Sequence, residues 1–131
     1  MTFCTAINCM DGRVQLPVIH YMKKHTGALY VDSITDAGPI GFLAENRDSD
    51  RIQSVLDRLK ISVTSHDSNT LAIVGHHDCA GNPVDKSAQI QQLRASKQLI
   101  QHHFQQIRII CLWVNENWDV EEIDNEEEER G

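Results

Sequence analysis

The sequence predicts an α/β fold, with a mainly parallel central sheet of about four strands flanked by helices. Three observations carry that prediction. Four short apolar runs, Phe3 to Asn8, Ala28 to Val31, Thr70 to Val74 and Ile107 to Val114, have the length and composition of strands. Helical patterns separate them, and the alternation β-α-β-α-β-α-β implies parallel strands joined by right-handed crossovers. The two stretches richest in reactive side chains each follow one of these runs, at the carboxyl ends of strands, where parallel sheets bind their ligands. They are Cys9-Met10-Asp11-Gly12-Arg13 and Gly75-His76-His77-Asp78-Cys79.

Taken in order, Phe3 to Asn8 reads as a buried strand and Cys9 to Arg13 as the loop leaving it. Pro17 fits the first turn of a helix, where its missing N–H costs nothing. Val18, Ile19 and Met22 give that helix an apolar face, Lys23, Lys24 and His25 suit its C-terminal dipole, and Gly27 fits just past its end. After the strand at Ala28 to Val31, the stretch Asp32 to Gly41 reads as a loop around Asp36-Ala37-Gly38-Pro39. Asp48, Ser49 and Asp50 offer N-caps for a second helix, in which Ile52, Val55, Leu56, Leu59 and Val63 form an apolar stripe. Thr70 to Val74 is apolar on both faces, as a central parallel strand is. Gly75 to Pro83 is a loop. The last helix spans roughly Val84 to Phe104, with Ile90, Leu93, Ile100 and Phe104 inward and the glutamines outward.

The chain has 131 residues, enough for one domain with an unstapled core. The expected organisation is a single α/β domain over 1–119, which the residues discussed next make zinc-binding, and an acidic, solvated tail over 120–131. A formal charge of −7 argues against nucleic acid or an anionic membrane as partner. No apolar run approaches the ~20 residues of a membrane span, and no secretory leader is visible. The expected compartment is the cytoplasm, so the four cysteines read as free thiols rather than as disulfides. Cys4 and Cys111 lie inside apolar runs and read as buried small hydrophobes. Cys9 and Cys79 instead close apolar runs among polar residues and glycines.

Cys9, His76 and Cys79 read as a candidate Zn²⁺ ligand set. His-x-x-Cys lets two side chains of one loop reach one ion, and three protein ligands leave a fourth position open, the mark of a catalytic site. His77 is adjacent and could take the place of His76; the alignment of motifs described below favours His76 as the ligand and leaves His77 to line the site or shuttle protons. Asp11 is the carboxylate placed to govern the open position. Arg13, two residues on, is placed to hold Asp11 ionised through a charge-assisted pair. Asp78 reads as a loop-orienting residue and Asp36 as a turn residue. His20, His25, His66, His102 and His103 read as surface groups, and Trp113 and Trp118 as core or interface.

Cys9-Met10-Asp11-Gly12-Arg13-Val14 resembles the Cys-x-Asp-Ser-Arg-Val signature of β-class carbonic anhydrases. Gly75-His76-His77-Asp78-Cys79-Ala80 resembles their Gly-His-x-x-Cys-Gly signature. Gly27-Ala28-Leu29-Tyr30-Val31 and Asp36-Ala37-Gly38 are similar to the strand and loop between them. The resemblance covers roughly residues 5 to 115. It implies zinc held by Cys9, His76 and Cys79, with Asp11 and Arg13 as the catalytic dyad. It also implies reversible hydration of CO2 to bicarbonate by zinc-bound hydroxide, a lyase reaction, and a homodimer or higher homo-oligomer. In some members the aspartate closes onto the metal, which would make Asp11 a fourth ligand.

The sequence departs from the family pattern at Gly12, Ala80 and Asp36, where serine, glycine and asparagine are usual. The N-terminal helices of typical members, and the substrate-binding glutamine associated with them, are not expected, and Gln15 is the substitute considered. Two further readings keep the metal. One is a hydrolase of a related small molecule such as carbonyl sulfide or carbon disulfide. The other is a zinc-binding protein without turnover. A thiol redox protein is the poorer reading, because no Cys-x-x-Cys is present.

Overall fold

A computed structural model describes residues 1–123. The elements are β1 (Phe3–Cys9), α1 (Gly12–Thr26), β2 (Tyr30–Asp36), α2 (Pro39–Ala44), α3 (Ser49–Ser65), β3 (Thr70–His76), α4 (Lys86–His103), β4 (Arg108–Val114) and β5 (Val120–Ile123). They build one sheet in the order β2-β1-β3-β4-β5. The first four strands run parallel and β5 is antiparallel to β4. The α/β class with a mainly parallel sheet is therefore as the alternation requires.

The sheet separates two cores. Ala6, Val14, Val18, Met22, Ala72 and Leu112 pack between the strands and α1. Ile7, Phe42, Leu59, Ile73, Leu93 and Ile100 pack on the opposite face, under α2, α3 and α4. Successive strand residues serve opposite cores, which is why β1 and β3 carry no exposed alternation. Cys4 and Cys111 are 0 % and 3 % exposed, one in each core, as apolar runs demand. The chain leaves β1 toward β2 and leaves β3 toward β4 in opposite directions along the sheet. The crevice between the carboxyl ends of β1 and β3 is thus the topological switch point, the preferred ligand position of such sheets.

Several elements differ from the sequence reading. Helix α1 begins at Gly12, not near Pro17, because the Asp11 side chain accepts a hydrogen bond from Arg13 N–H and caps it. Pro17 sits inside the helix, and Arg13 lies on its first turn rather than in a loop. Gly27 ends the helix in the left-handed conformation, φ 76°, as expected. Strand β2 runs over Tyr30–Asp36 and overlaps the expected strand only at its start. Helix α2 occupies six residues, too few to show a helical period, and buries Ile40, Phe42 and Leu43. In α4 the buried stripe is Gln89, Leu93, Ser96 and Ile100, so Ile90 is only half-buried and one glutamine faces the core. Val120–Ile123, assigned to the solvated tail, pairs with β4. The remainder of that tail lies outside the described residues. No helix among the described residues is long and apolar enough to cross a membrane.

Candidate metal centre

Cys9 is the last residue of β1 and His76 the last residue of β3, so the two strands deliver them to opposite walls of the crevice. Cys79 comes from the loop after β3. Its Sγ lies 3.9 Å from Cys9 Sγ. Zinc binding two thiolates at ~2.3 Å in tetrahedral geometry separates the sulfurs by about 3.8 Å. His76 supplies the third donor. Its Nδ1 lies 2.7 Å from the carbonyl oxygen of His77. A carbonyl only accepts, so Nδ1 carries the proton and Nε2 keeps the lone pair that a metal needs. Nε2 is buried with no hydrogen-bond partner. It forms with the two sulfurs a set of donor atoms all within 4.8 Å of one another. An orphaned imidazole nitrogen facing two thiols 3.9 Å apart fits a soft, tetrahedral cation.

The charge at the site is organised for a cation as well. Cys79 hydrogen-bonds to Cys9 and drives the Cys9 thiol far below its ordinary range. The same contact pushes Cys79 up. The Gly38 N–H, 3.5 Å from Cys9 Sγ, also favours the Cys9 thiolate. For His76, burial lowers the pKa, but the nearby Cys9 thiolate and the His77 carbonyl outweigh it and the net direction is up. A cation would displace the protons that these groups share.

The loop after β2 approaches the Cys79 loop closely. Gly38 has φ 57°, and a Cβ there would lie 2.6 Å from Asn82 Cβ and 2.7 Å from the Gly81 carbonyl carbon. Gly38→Ala combines left-handed strain with a steric overlap, together about 2–4 kcal/mol. The expected outcome is a lower melting temperature with weaker retention of any added metal, read by thermal denaturation and chelator competition. Gly12 differs: a Cβ there meets nothing within 4 Å, so there is room for the serine of the signature it resembles.

Asp11 and Arg13 form the pair expected. Arg13 Nη2 donates to Asp11 Oδ2 at 2.7 Å and Arg13 Nε to Asp11 Oδ1 at 3.1 Å. The guanidinium hydrogen bonds hold the Asp11 carboxyl at about 2, below its ordinary value. Asp11 is not among the clustered donor atoms. Arg13 is itself fixed from further sides. It donates to Asp78 Oδ2 at 3.2 Å and to the Asp78 carbonyl at 3.1 Å. Its Cζ lies 4.4 Å from the centre of the Trp118 ring, a cation–π contact. Arg13 thereby ties the β1 loop to the β3 loop and to the β4–β5 turn.

Beside Cys9 lies an open cavity of about 210 Å³, lined by Cys9, Met10, Asp11, Ala37, Ala80 and Gly81. Its walls are small and mostly apolar. Gln15 does not face it as a free donor, because its Nε2 donates to the carbonyls of Cys9 and Asp11 at 2.7 and 3.0 Å. His77 lines a different hollow, with Asp78, Lys86 and Trp113. Asp36 turns its carboxylate to Arg58 of α3 at 3.1 Å. His20, His25, His66, His102 and His103 are exposed.

Sequence reasoning missed Gln89, Trp118 and the role of Gly38. Gln89 had a readable signal: it precedes Leu93, Ser96 and Ile100 at helical spacing, so a polar side chain lies on a buried stripe. Trp118 had none, because only the hairpin that the sequence did not announce brings it over Arg13.

Comparisons with known proteins place this geometry. A crystal structure of β-carbonic anhydrase isoform I from the protozoan Trichomonas vaginalis superposes with a TM-score of 0.59 at 18 % identity, covering 92 % of this chain and 82 % of that one. That likeness shows the shared fold. Among curated proteins, none matches. A protein-family model described as "Putative carbonic anhydrase" matches residues 1–124, nearly the whole chain, and the chain therefore belongs to this carbonic anhydrase family.

Proposed function

We propose that the protein is a zinc-dependent carbonic anhydrase, a lyase that reversibly hydrates CO2 to bicarbonate. The single observation that carries this reading is the buried, partnerless Nε2 of His76 set among the sulfurs of Cys9 and Cys79. Family membership supports the same reaction. Zinc held by these three residues would supply a Lewis acid that makes a hydroxide nucleophile available near neutral pH. The protein supplies the rest. Asp11, ionised and acceptor-only, orients the nucleophile by accepting its hydrogen bond. Arg13 fixes the carboxylate with a bidentate grip and is braced by Asp78 and Trp118. The cavity beside Cys9 admits a small apolar molecule such as CO2 between Met10, Ala37 and Ala80.

The reading extends to a homodimer or larger assembly and to a cytoplasmic location. Tyr30 and Leu29, 56 % and 62 % exposed at the start of the edge strand β2, support the first. Four free, buried cysteines fit a reducing compartment and support the second.

Native mass spectrometry and stopped-flow CO2 hydration test the reading together. The expected result is one zinc per chain and hydration that disappears on chelation and returns with zinc. Bound zinc without hydration at neutral or mildly alkaline pH would leave a metal-binding protein without turnover. Sulfide release from carbonyl sulfide or carbon disulfide, with no CO2 hydration, would reassign the substrate while keeping the site.

A further inference from the structure

The backbone of His76 is hydrogen-bonded by a side chain that belongs to none of the motifs. Gln89, in the first turn of α4, is 1 % exposed. Its Oε1 accepts a hydrogen bond from His76 N–H at 3.1 Å, and its Nε2 donates to the His76 carbonyl at 2.9 Å. The same Nε2 donates to the Val84 carbonyl at 3.2 Å. A carboxamide presents one donor edge and one acceptor edge side by side, as the backbone of a neighbouring strand does.

The sheet explains why such a substitute is needed. The β3–β4 ladder continues through the pair His76–Val114. The β1–β3 ladder runs from Thr5–Leu71 to Ile7–Ile73 and goes no further. Beyond that point β1 and β3 part, and the parting opens the crevice in which the three donor atoms meet. It also strips strand partners from the N–H and carbonyl of His76, a residue 1 % exposed, where unpaired backbone groups are costly. Gly75 makes room for the replacement: a Cβ there would lie 2.9 Å from Gln89 Oε1.

We propose that Gln89 is a positioning residue for the metal centre. Its amide takes the place of the missing strand, fixes the backbone of His76, and with the His77 carbonyl on Nδ1 aims Nε2 at Cys9 and Cys79. The inference rests on the reading of these three residues as metal ligands.

The test compares Gln89→Met, which keeps length and apolar bulk, with Gln89→Glu, which keeps the acceptor and loses the donor. Ser96→Ala is the control. Ser96 is equally buried on the same helix and donates to the Ile40 carbonyl at 3.4 Å, and neither residue bonds the backbone of a proposed ligand. Zinc affinity is read by chelator competition, ligand geometry by the absorption bands of the cobalt(II)-substituted protein, and stability by thermal denaturation. Both Gln89 variants are expected to lose about 10–100-fold in zinc affinity and to shift the cobalt bands. Ser96→Ala is expected to lose stability with neither change. Gln89 variants that lose stability as the control does, with affinity and cobalt spectrum intact, would overturn the proposal. If neither Gln89 variant folds, the wild-type protein decides: the Gln89 side-chain amide resonances are expected to shift and exchange more slowly on zinc loading, and unchanged resonances would overturn it. A wild-type chain that takes up neither cobalt nor zinc fails the metal reading itself, a result distinct from normal loading that Gln89 does not influence.

Discussion

Replacing Cys79 by serine is expected to abolish the proposed zinc binding and, with it, the proposed CO2 hydration. Serine keeps the size of the side chain and removes the thiolate. A hydroxyl stays protonated in the conditions where a thiol beside a metal ionises, so the ion would face one thiolate and one imidazole. Structural zinc sites gain roughly 10–16 kcal/mol from their full ligand set, so removing one strong ligand costs on the order of a thousandfold in affinity. Chelator competition and native mass spectrometry read the first loss, stopped-flow hydration the second. Cys4→Ser provides the contrast. Cys4 is also fully buried, but in the core beneath α1 rather than in the donor set. It is expected to lose stability and retain zinc. Wild-type zinc content and activity in Cys79→Ser would sink the assignment of the centre.

The contrast between these two cysteines also shows what could be read from the chain alone. Cys4 lies within an apolar run, whereas Cys79 lies beyond one, between His76-His77-Asp78 and Ala80-Gly81-Asn82-Pro83, so position relative to the run separated core thiol from candidate ligand. The same logic found Cys9 and His76, because parallel strands end where their apolar runs end and the switch point collects those ends. Local pattern failed where tertiary contact decides. Helix α2 is shorter than two turns, so its burial against α4 rather than any periodicity defines it. Strand β5 reads Val-Glu-Glu-Ile, which looks solvated until pairing with β4 satisfies its backbone. Helix α1 starts at Gly12 because a carboxylate caps it, a role for Asp11 hidden behind the more conspicuous pairing with Arg13. Gln89 was assigned outward with the other glutamines, although its register with Leu93 already placed it inward.

That double role of Asp11 makes Asp11→Asn the substitution with the clearest mechanistic outcome. Asparagine can still accept from Arg13 N–H, so the cap of α1 survives. The negative charge does not. The grip of Arg13 on Asp11 weakens, and the side chain now presents an NH₂ donor where the proposed reaction needs an acceptor. Because the Arg13 guanidinium holds the wild-type carboxyl at about 2, below the ordinary aspartate value of 3.8, Asp11 is ionised at every pH above about 4. Its titration therefore contributes nothing to the activity profile around neutrality, and the variant should be defective uniformly across that range rather than shifted along it. The expected result is normal zinc content and folding, with hydration reduced by roughly 10²–10⁴-fold, the scale of a lost proton-handling group. A loop ion pair without a catalytic part would behave differently. Arg13 is exposed, and a pair of that kind adds little to stability and nothing to turnover. Stopped-flow hydration measured beside zinc content distinguishes the two. Arg13→Lys extends the test: lysine keeps a positive charge but cannot span both Asp11 oxygens or stack on Trp118, so an intermediate loss would show that the orientation of Asp11, and not merely its charge, sets the rate.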